Sequence, residues 1–411
     1  MPTAVPASEF TKRLEAVRNR IAEADATAGV WFSATSIEYL SGFAHIQTER
    51  PVVLAVTQDR LEITVPRLEV ERVEPNPRID AVHHYRDYPG GDPIGVVVEM
   101  LDGLDAGSVA ADAEGAPGVM GFEGPSLATA WEAADGTSGE LDVSTQSWVD
   151  RMRWCKSDLE VDLVRESARW ANLAHRYLTD YTEVGAHPAT VSQRASMDGS
   201  RAMLDALGSE YVPRTRGTGP VHAGYITGEQ TALPHGHTAN RRLEPGDVAI
   251  TGASANVDGY HSELERTMFL GEPDDEQRHY FELATEAQKL AIDALGPGVE
   301  IAYVDEVVES YFEEQGVQEL ARHHVGHNIG MDGHEPPYID RGWTAHCEHE
   351  ATGSDADDET MKPGMIWTIE PGLYTESEGY RHSDTVAITE DGTDRLTTFP
   401  RSIEGNTIRV E

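Results

Sequence analysis

The sequence predicts two domains, an α/β domain over residues 1–150 and a second domain of helices and glycine-rich strands over residues 151–411. Three observations support this prediction. The length of 411 residues exceeds what one hydrophobic core usually holds. The hydrophobic content of 39% is sufficient for sizeable cores. The hydrophobic pattern also changes near residue 150, which places the expected boundary there.

Helical and strand patterns alternate in the first domain. Apolar residues recur every three or four positions from Phe10 to Ile21, which predicts an amphipathic helix. Short apolar or alternating runs bounded by polar turns predict strands. The predicted elements, in order, are a helix over 10–21, strands at 29–32, 52–56 and 61–65, a helix over 93–101 and a strand at 119–122.

The second domain begins with a helix-start signal. Ser157 and Glu160 form a capping-box pattern, which predicts a long helix through about residue 177. Residues 345–360 are acidic and irregular, and we interpret them as a solvated loop. The other predicted elements are helices over 276–295 and 303–314 and strands at 247–259, 364–374 and 385–388.

The charge is strongly negative. The sequence has 72 Asp and Glu against 32 Lys and Arg, a formal net charge of −40. This charge repels phosphates, so we expect no nucleic-acid partner. Nearly all the cations are arginine and the acidic residues are spread along the chain. We interpret this surface as adaptation to a salty cytosol, where salt screens self-repulsion, and predict a halophilic protein.

Cysteine usage and hydropathy predict the compartment. Two cysteines, Cys155 and Cys347, favour a reducing environment. The sequence has no run of 18 apolar residues, and its N-terminus lacks the pattern of a signal peptide. We therefore expect a soluble, cytoplasmic protein without membrane contact.

Four histidines, His323, His324, His327 and His334, fall within twelve residues. Glycines interrupt this segment and allow close approach of the backbone. Such a cluster is typical of a polar core, a metal site or a catalytic site, and the cluster alone does not choose among them.

Three glutamates add acidic groups. Glu370 directly follows an apolar strand and precedes Pro-Gly, so its carboxylate is expected to face a cleft. Glu263 and Glu265 are two residues apart and would share one face of a strand. Paired carboxylates suit either a bound cation or a proton transfer.

The order and spacing of these segments resemble the creatinase / aminopeptidase P / prolidase superfamily. The resemblance implies an α+β C-terminal catalytic domain with the pita-bread fold, preceded by the family's smaller α/β domain. It rests on His323-x-x-x-His327-x-x-Gly330, His334-Glu335-Pro336, Glu370-Pro-Gly-Leu-Tyr374, Gly379-Tyr-Arg381 and Asp391-Gly392.

The peptidases of this superfamily hold two metal ions with two Asp, one His and two Glu. Carried onto this chain, those positions are Gly252, Glu263, His327, Glu370 and Ser383. Because Gly252 and Ser383 offer no carboxylate, we expect no metal cofactor. The alternative is a single divalent ion on Glu263, His327 and Glu370.

The segment from Gly259 to Thr267, Gly-Tyr-His-Ser-Glu-Leu-Glu-Arg-Thr, resembles the creatinase branch more than the peptidases. This resemblance implies that Glu265 and Glu370 hold a substrate cation. It implies that His235, eleven residues before a Gly-Asp pair, moves the proton. Arg50 matches an arginine that binds the substrate carboxylate across a homodimer.

The sequence therefore predicts a metal-free, creatinase-like or ectoine-hydrolase-like enzyme that hydrolyses a C–N bond of a small amidine, guanidine or amide. Two alternatives remain: an Xaa-Pro aminopeptidase or dipeptidase with one metal ion, and a non-catalytic pita-bread binding module. The expected partners are a small-molecule or dipeptide substrate and a second copy of the chain. The predicted catalytic residues are His235, Glu265, His327, His334 and Glu370, and the predicted substrate-binding residues are Arg50, Tyr260, His323 and Arg381.

Overall fold

The computed structural model describes residues 3–115, 122–134, 137, 139–214, 219–238, 240–349 and 359–410. The chain divides into two compact units. One comprises Pro6–Met152, and the other comprises Met1–Val5 with Arg153–Glu411. The boundary expected after residue 150 lies two residues before this division.

The smaller unit contains a mixed six-stranded sheet with the order β4-β3-β2-β1-β5-β6. Apolar residues of α4 and α5, including Val97, Leu101 and Trp131, pack with the sheet in one core. The predicted strand at 119–122 lies outside the described residues except for Phe122. The strands are β1 Ala28–Trp31, β2 Val53–Val56, β3 Leu61–Pro66, β4 Ala81–Tyr85, β5 Ser108–Ala111 and β6 Asp142–Thr145; the helices are α1 Ala7–Glu23, α2 Ala34–Ser41, α3 Val70–Val73, α4 Pro93–Gly103, α5 Leu127–Ala133 and α6 Trp148–Trp154.

The larger unit is built on a ten-stranded sheet whose main path runs β12-β11-β13-β16-β10-β8-β7. Strands β9, β17 and β18 pair at its sides, and β14 and β15 form a separate hairpin. The strands are β7 Val221–Thr227, β8 Val248–Val257, β9 Tyr260–His261, β10 Leu264–Leu270, β11 Gly326–Asn328, β12 Glu335–Ile339, β13 Ile366–Ile369, β14 Gly372–Tyr374, β15 Gly379–Arg381, β16 Ser383–Thr389, β17 Gly392–Arg395 and β18 Thr407–Ile408.

The described part of the larger unit contains five α-helices. Helix α7 starts at the predicted capping box, in which the Ser157 side chain accepts from the Glu160 N–H and Glu160 Oε2 accepts from the Ser157 N–H, so this prediction is confirmed. Helices α7 and α8 pack on β7 and β8, and α9 and α10 pack together near β12 and β13. The helices are α7 Asp158–Tyr181, α8 Pro188–Leu207, α9 Asp275–Ala294, α10 Ile301–Gln315 and α11 Trp343–His349.

The acidic segment at 345–360 differs in part from its prediction. Residues 345–349 belong to α11, whereas residues 350–358 lie outside the described residues. Trp343 and Cys347, one helical turn apart, are both buried in a hydrophobic core. This apolar pair stabilises a helical turn, which the acidic composition of residues 345–360 did not predict.

The register of the large sheet positions the candidate site. Glu265 on β10 lies directly opposite Gly252 on β8 and opposite Ser383 on β16. His327 lies on β11, and Glu370 follows β13 immediately. The strands therefore bring together residues that are more than 100 positions apart in the sequence. Among the described residues, no helix has the length and apolar character needed to cross a bilayer.

Candidate active site

Glu263, His327 and Glu370 form the centre of the candidate site. His327 Nε2 lies 3.2 Å from Glu370 Oε1 and 4.0 Å from Glu263 Oε2. One ligand atom from each residue lies within 4.8 Å of the others, a separation suited to a shared cation. In the part of the chain that the structure describes, this is the one group of histidine, cysteine and carboxylate side chains found with that geometry.

The imidazole of His327 is held in the tautomer that a metal ligand requires. Its Nδ1 lies 2.9 Å from the carbonyl oxygen of Asn328, which can only accept, so Nδ1 carries the proton and donates. Nε2 faces the two carboxylates: it donates to Glu370 while the ring is protonated, and its lone pair would bind an ion once the ring is neutral. The ring is 2% exposed, which keeps it in this orientation.

The carboxylates of Glu263, Glu265 and Glu370 lie close together, so the site favours a bound positive charge. Burial raises the pKa of Glu263 to about 8, and the nearby charges of Glu370 and Glu265 add to this shift. Burial opposes the charged form of His327, yet its hydrogen bond to Glu370 and the charges of both ligand glutamates raise its pKa to about 9. The three side chains therefore fit a divalent cation, which would relieve the repulsion between the carboxylates.

A fixed ion pair lies beside this group. Arg381 holds Glu265 in a bidentate arrangement, with Nε 2.5 Å from Oε2 and Nη2 2.9 Å from Oε1. Its Nη1 donates to the carbonyl oxygen of Pro234 at 3.1 Å and to the Tyr374 hydroxyl at 3.0 Å. Glu265, which was predicted to hold a substrate cation, is thus already paired with a cation of the protein.

A chain of hydrogen bonds continues from Arg381. The Tyr374 hydroxyl lies 2.8 Å from His323 Nε2, and His323 Nδ1 lies 2.8 Å from the His324 carbonyl oxygen. Because that oxygen only accepts, Nδ1 donates to it and Nε2 accepts from Tyr374. Burial lowers the pKa of His323, which favours this neutral form of the ring.

His334 and His235 complete the group. The His334 ring stacks on His327 with centroids 3.8 Å apart. Burial lowers the pKa of His334 to about 4, with contributions from His327, His324 and His235. His235 lies in an exposed turn close enough for its charge to act on His334.

Two known protein families match this chain. The model of metallopeptidase family M24 matches residues 162–390, and that of the creatinase/prolidase N-terminal domain matches residues 13–155. The chain belongs to metallopeptidase family M24. The predicted superfamily, the α/β domain followed by a pita-bread domain, and the prediction of a hydrolase of this superfamily are confirmed at the level of the family.

Relatives of this M24 chain are named as dipeptidases. The Xaa-Pro dipeptidase of Pyrococcus furiosus is 35% identical over 178 residues, which cover 43% of this chain and 47% of that protein. The match thus spans about half the length of that relative. The probable dipeptidase PepE of Mycobacterium tuberculosis is 27% identical over 344 residues, covering 83% of this chain and 81% of that protein. The solved Xaa-Pro dipeptidase from Bacillus anthracis has a TM-score of 0.76 at 21% identity, over 96% of this chain and 99% of that one.

The expectation of no metal cofactor was wrong. The M24 family is a metallopeptidase family, and Glu263, His327 and Glu370 form a group that could hold a metal ion. The prediction failed because it gave the missing carboxylates at Gly252 and Ser383 more weight than the three ligands that remain. The relatives named above also give no support to the creatinase-like branch.

Two predicted substrate-binding residues lie outside this group. Tyr260 is 1% exposed within the hydrophobic core, and its hydroxyl donates to Glu160 Oε1 at 2.7 Å. The Tyr260 side chain thus joins β9 to the start of α7, and its substrate-binding role stays a prediction. Arg50 belongs to the smaller unit, where its Nε donates to Asp87 Oδ1 at 2.6 Å, and its role stays a prediction.

Two residues that support the M24 site were missed. Arg266 is fully buried and donates to the carbonyl oxygens of Glu265 and Ser383 at 2.6 and 2.8 Å. Gln288 on α9 donates to the carbonyl oxygen of Ile369, the residue before Glu370, at 2.9 Å. The sequence offered two signals for these residues. Arg266 lies inside the apolar run of β10, and Gln288 lies on the buried, alanine-rich face of α9.

Proposed function

We propose that this protein is a metal-dependent peptidase that hydrolyses dipeptides, with Xaa-Pro dipeptides as the first candidate substrates. The observation that carries the proposal is the group formed by Glu263, His327 and Glu370, with Nε2 of the histidine directed at both carboxylates. The names of the relatives support the substrate class. This proposal replaces the amidine or guanidine hydrolase that the sequence favoured.

Glu263, His327 and Glu370 would hold the ion. When bound, a divalent ion supplies Lewis acidity that polarises a carbonyl oxygen. The protein itself fixes the His327 tautomer through the Asn328 carbonyl oxygen, and the burial of His327 and Glu370 strengthens the electrostatic interaction between them. The hydrogen bonds from Arg381 to Tyr374 and from Tyr374 to His323 hold these three side chains in one protonation state beside the site.

Two further histidines are suited to proton handling in this proposal. His334 is neutral near pH 7, because its pKa is lowered to about 4, and it lies against His327. A neutral imidazole can accept a proton from the reacting groups. His235 is exposed, and in this proposal it passes that proton to solvent.

Chelation tests the proposal directly. We expect removal of divalent ions to abolish hydrolysis of Gly-Pro and Ala-Pro, and Mn²⁺, Co²⁺ or Zn²⁺ to restore it. The measurement is the rate of dipeptide cleavage beside the ion content of the same sample, with Ala-Ala, creatine and ectoine in the panel. Full turnover by a sample stripped of ions, or turnover of ectoine or creatine alone, would contradict the proposal.

The charge supports our inference that the protein is halophilic and cytoplasmic. At −40 the folded chain repels itself, and salt near 1 M reduces the Debye length to about 3 Å. All activity and stability measurements should therefore be made at about molar KCl, with lower salt as a comparison.

We further infer that Arg50 binds the carboxylate of the dipeptide and that the protein is a homodimer. Arg50→Lys is expected to raise KM about tenfold and change kcat little, because a point charge does not reproduce the guanidinium fork. Steady-state kinetics on Ala-Pro and on its C-terminal amide measure this effect. The difference between wild type and variant should vanish with the amide, which has no carboxylate.

Arg60→Lys is the matched control for Arg50. Arg60 is an arginine of the same unit that pairs with Glu62, and its replacement should leave KM unchanged. Equal loss on both substrates would show that Arg50 does not act on the carboxylate. Light scattering that gives a fully active monomer would refute the dimer.

A further inference from the structure

We propose that Lys156 is a positioning residue of this site. Its ammonium group holds the side chains of Asn328 and Glu335, and through them it fixes the ring of His327 and the segment that carries His334. The inference rests on the proposed function in taking His327 as a ligand of the ion. It goes beyond that function because it assigns a role to a buried lysine that is not itself a ligand.

Lys156 is buried, and both its backbone and its ammonium group are held. The side chain is 2% exposed. Its Nζ donates to Asn328 Oδ1 and, at 2.7 Å, to Glu335 Oε1. Its backbone N–H donates to the Gly364 carbonyl oxygen at 2.9 Å, which anchors the residue to the turn before β13. Because burial of an unpaired ammonium is costly, the contacts with Asn328 and Glu335 determine where Nζ lies.

Asn328 transmits this contact to His327. The side-chain amide is held at both ends, since Oδ1 accepts from Lys156 and Nδ2 donates to the Trp154 carbonyl oxygen at 3.4 Å. The backbone carbonyl oxygen of Asn328 accepts from His327 Nδ1 at 2.9 Å, the hydrogen bond that directs Nε2 toward the carboxylates. The register of β11 and β12 shifts between His327 and Asn328, so the strand pairing is irregular at this residue. The side-chain contacts therefore help to orient the carbonyl group that orients the imidazole.

Glu335 connects Lys156 to His334. It follows His334 directly and is the first residue of β12. Its Oε1 accepts from Lys156 and its Oε2 accepts from Arg153, and its side chain is 4% exposed. Two cations therefore hold one buried carboxylate at the start of β12. The position of the His334 ring, whose centroid lies 3.8 Å from that of His327, depends on this anchor.

The charges around Lys156 balance. Arg153 also pairs with Asp332, a partly exposed carboxylate in the segment between β11 and β12. Lys156 and Arg153 thus carry two positive charges against the two negative charges of Asp332 and Glu335. A neutral replacement of Lys156 upsets this balance and removes a donor from Asn328, so it is expected to shift the segment.

The segment between β11 and β12 packs directly on the Lys156 side chain. A Cβ atom at Gly330 would lie 2.7 Å from Lys156 Cε and 2.7 Å from Glu335 Oε1, so glycine is needed for this close approach. The Gly330 carbonyl oxygen also accepts from the His261 N–H at 2.8 Å, which ties the segment to β9. The shape of residues 328–335 thus depends on the lysine that they contact.

Manganese affinity and turnover of Lys156→Met test the inference. Methionine keeps the approximate length of the side chain and removes its charge and its donors. We expect the dissociation constant for Mn²⁺ to rise about tenfold and kcat for Ala-Pro at saturating Mn²⁺ to fall about tenfold, as is usual when a group that orients a metal ligand is lost. KM should change less than kcat, since the buried lysine is not accessible to substrate. Isothermal titration calorimetry and steady-state kinetics in about molar KCl measure these quantities.

Lys289→Met is the matched control, because Lys289 is an exposed lysine of α9 that pairs with Glu286. Its Mn²⁺ affinity and kinetics should equal those of wild type. Thermal unfolding gives the folded fraction of each variant, to which both quantities are scaled. If folded Lys156→Met binds Mn²⁺ and turns over like wild type, the lysine is only structural, and this inference is overturned while the proposed function stands. A wild-type chain that binds no ion at millimolar Mn²⁺ would overturn both.

A second variant tests the path through Asn328 and decides the question if Lys156→Met does not fold. Asn328→Leu removes the side-chain amide and leaves the ion pairs of Glu335 with Lys156 and Arg153 in place. It is expected to weaken Mn²⁺ binding about tenfold. The double variant should bind Mn²⁺ no more weakly than the more affected single variant, because both changes break the same path to His327. Wild-type affinity in Asn328→Leu, or a double variant whose loss is the product of the two single losses, would contradict the inference.

Discussion

Replacement of His327 by alanine is expected to remove the bound metal ion and to lower kcat/KM by at least about three orders of magnitude. Metal-ion catalysis supplies several kcal/mol of transition-state stabilisation, and about 4 kcal/mol corresponds to a thousandfold change in rate. His327 is the only neutral ligand in the described group, and its Nε2 lies nearest to both carboxylates. Its loss also leaves Glu263 and Glu370 without the imidazole between them.

The test measures ion content and dipeptide cleavage for the same preparations. His279→Ala is the matched control, because His279 is an exposed residue of α9 outside the site, and both quantities should be unchanged. An active His327→Ala that retains its ion would refute the ligand assignment.

Two carboxylate variants separate the proposed peptidase from the hydrolase that the sequence favoured. Glu263→Gln removes a ligand oxygen and should abolish ion binding, whereas Glu265→Gln should retain the ion. In an amidine hydrolase, Glu265→Gln would lose more activity than Glu263→Gln, because Glu265 would hold the substrate cation. Parallel kinetics of the two variants on Ala-Pro and on ectoine, beside the ion content of each variant, therefore distinguish the two mechanisms.

Local sequence signals predicted much of the frame of the molecule. The capping box at Ser157 and Glu160 depends on residues three apart, so the sequence displays it directly. Glu370 at a strand end and the histidine cluster were also visible, because turn residues and spacing mark them. These signals are sufficient to predict His327 and Glu370 as candidate site residues without a structure.

Long-range register could not be read from the sequence. The partner of Glu265 is Arg381, 116 residues away, and only the pairing of β10 with β16 and the β14-β15 hairpin brings them together. Without that contact, Glu265 appeared free to bind a substrate cation. The hydrogen bond of Tyr260 could not be predicted for a related reason, because its glutamate partner lies 100 residues earlier on α7.

Replacement of Arg266 by methionine is expected to lower the free energy of unfolding by about 3–5 kcal/mol, the usual cost of breaking a buried ion pair. Arg266 and Asp384 are both fully buried, with Nη2 2.8 Å from Oδ1. The variant would leave the Asp384 carboxylate buried with hydrogen bonds from Thr397 and Gln288 and with only the more distant Arg401, whose Nε lies 3.9 Å from Oδ2, as a cation. It would also remove donors from the carbonyl oxygens of Glu265 and Ser383.

Denaturant unfolding at constant high salt measures this change. Arg278→Met is the matched control, since Arg278 pairs with Glu272 at the surface and such pairs contribute about 1 kcal/mol or less. The double variant Arg266→Met/Asp384→Leu should recover part of the loss, because it removes the buried carboxylate that has lost its closest cation. If the single Arg266→Met variant unfolds like wild type, the backbone contacts of Arg266 do not hold β10 and β16 together. If instead the double variant is less stable than both wild type and Arg266→Met, the remaining contacts of Asp384 with Thr397, Gln288 and Arg401 outweigh the cost of its burial.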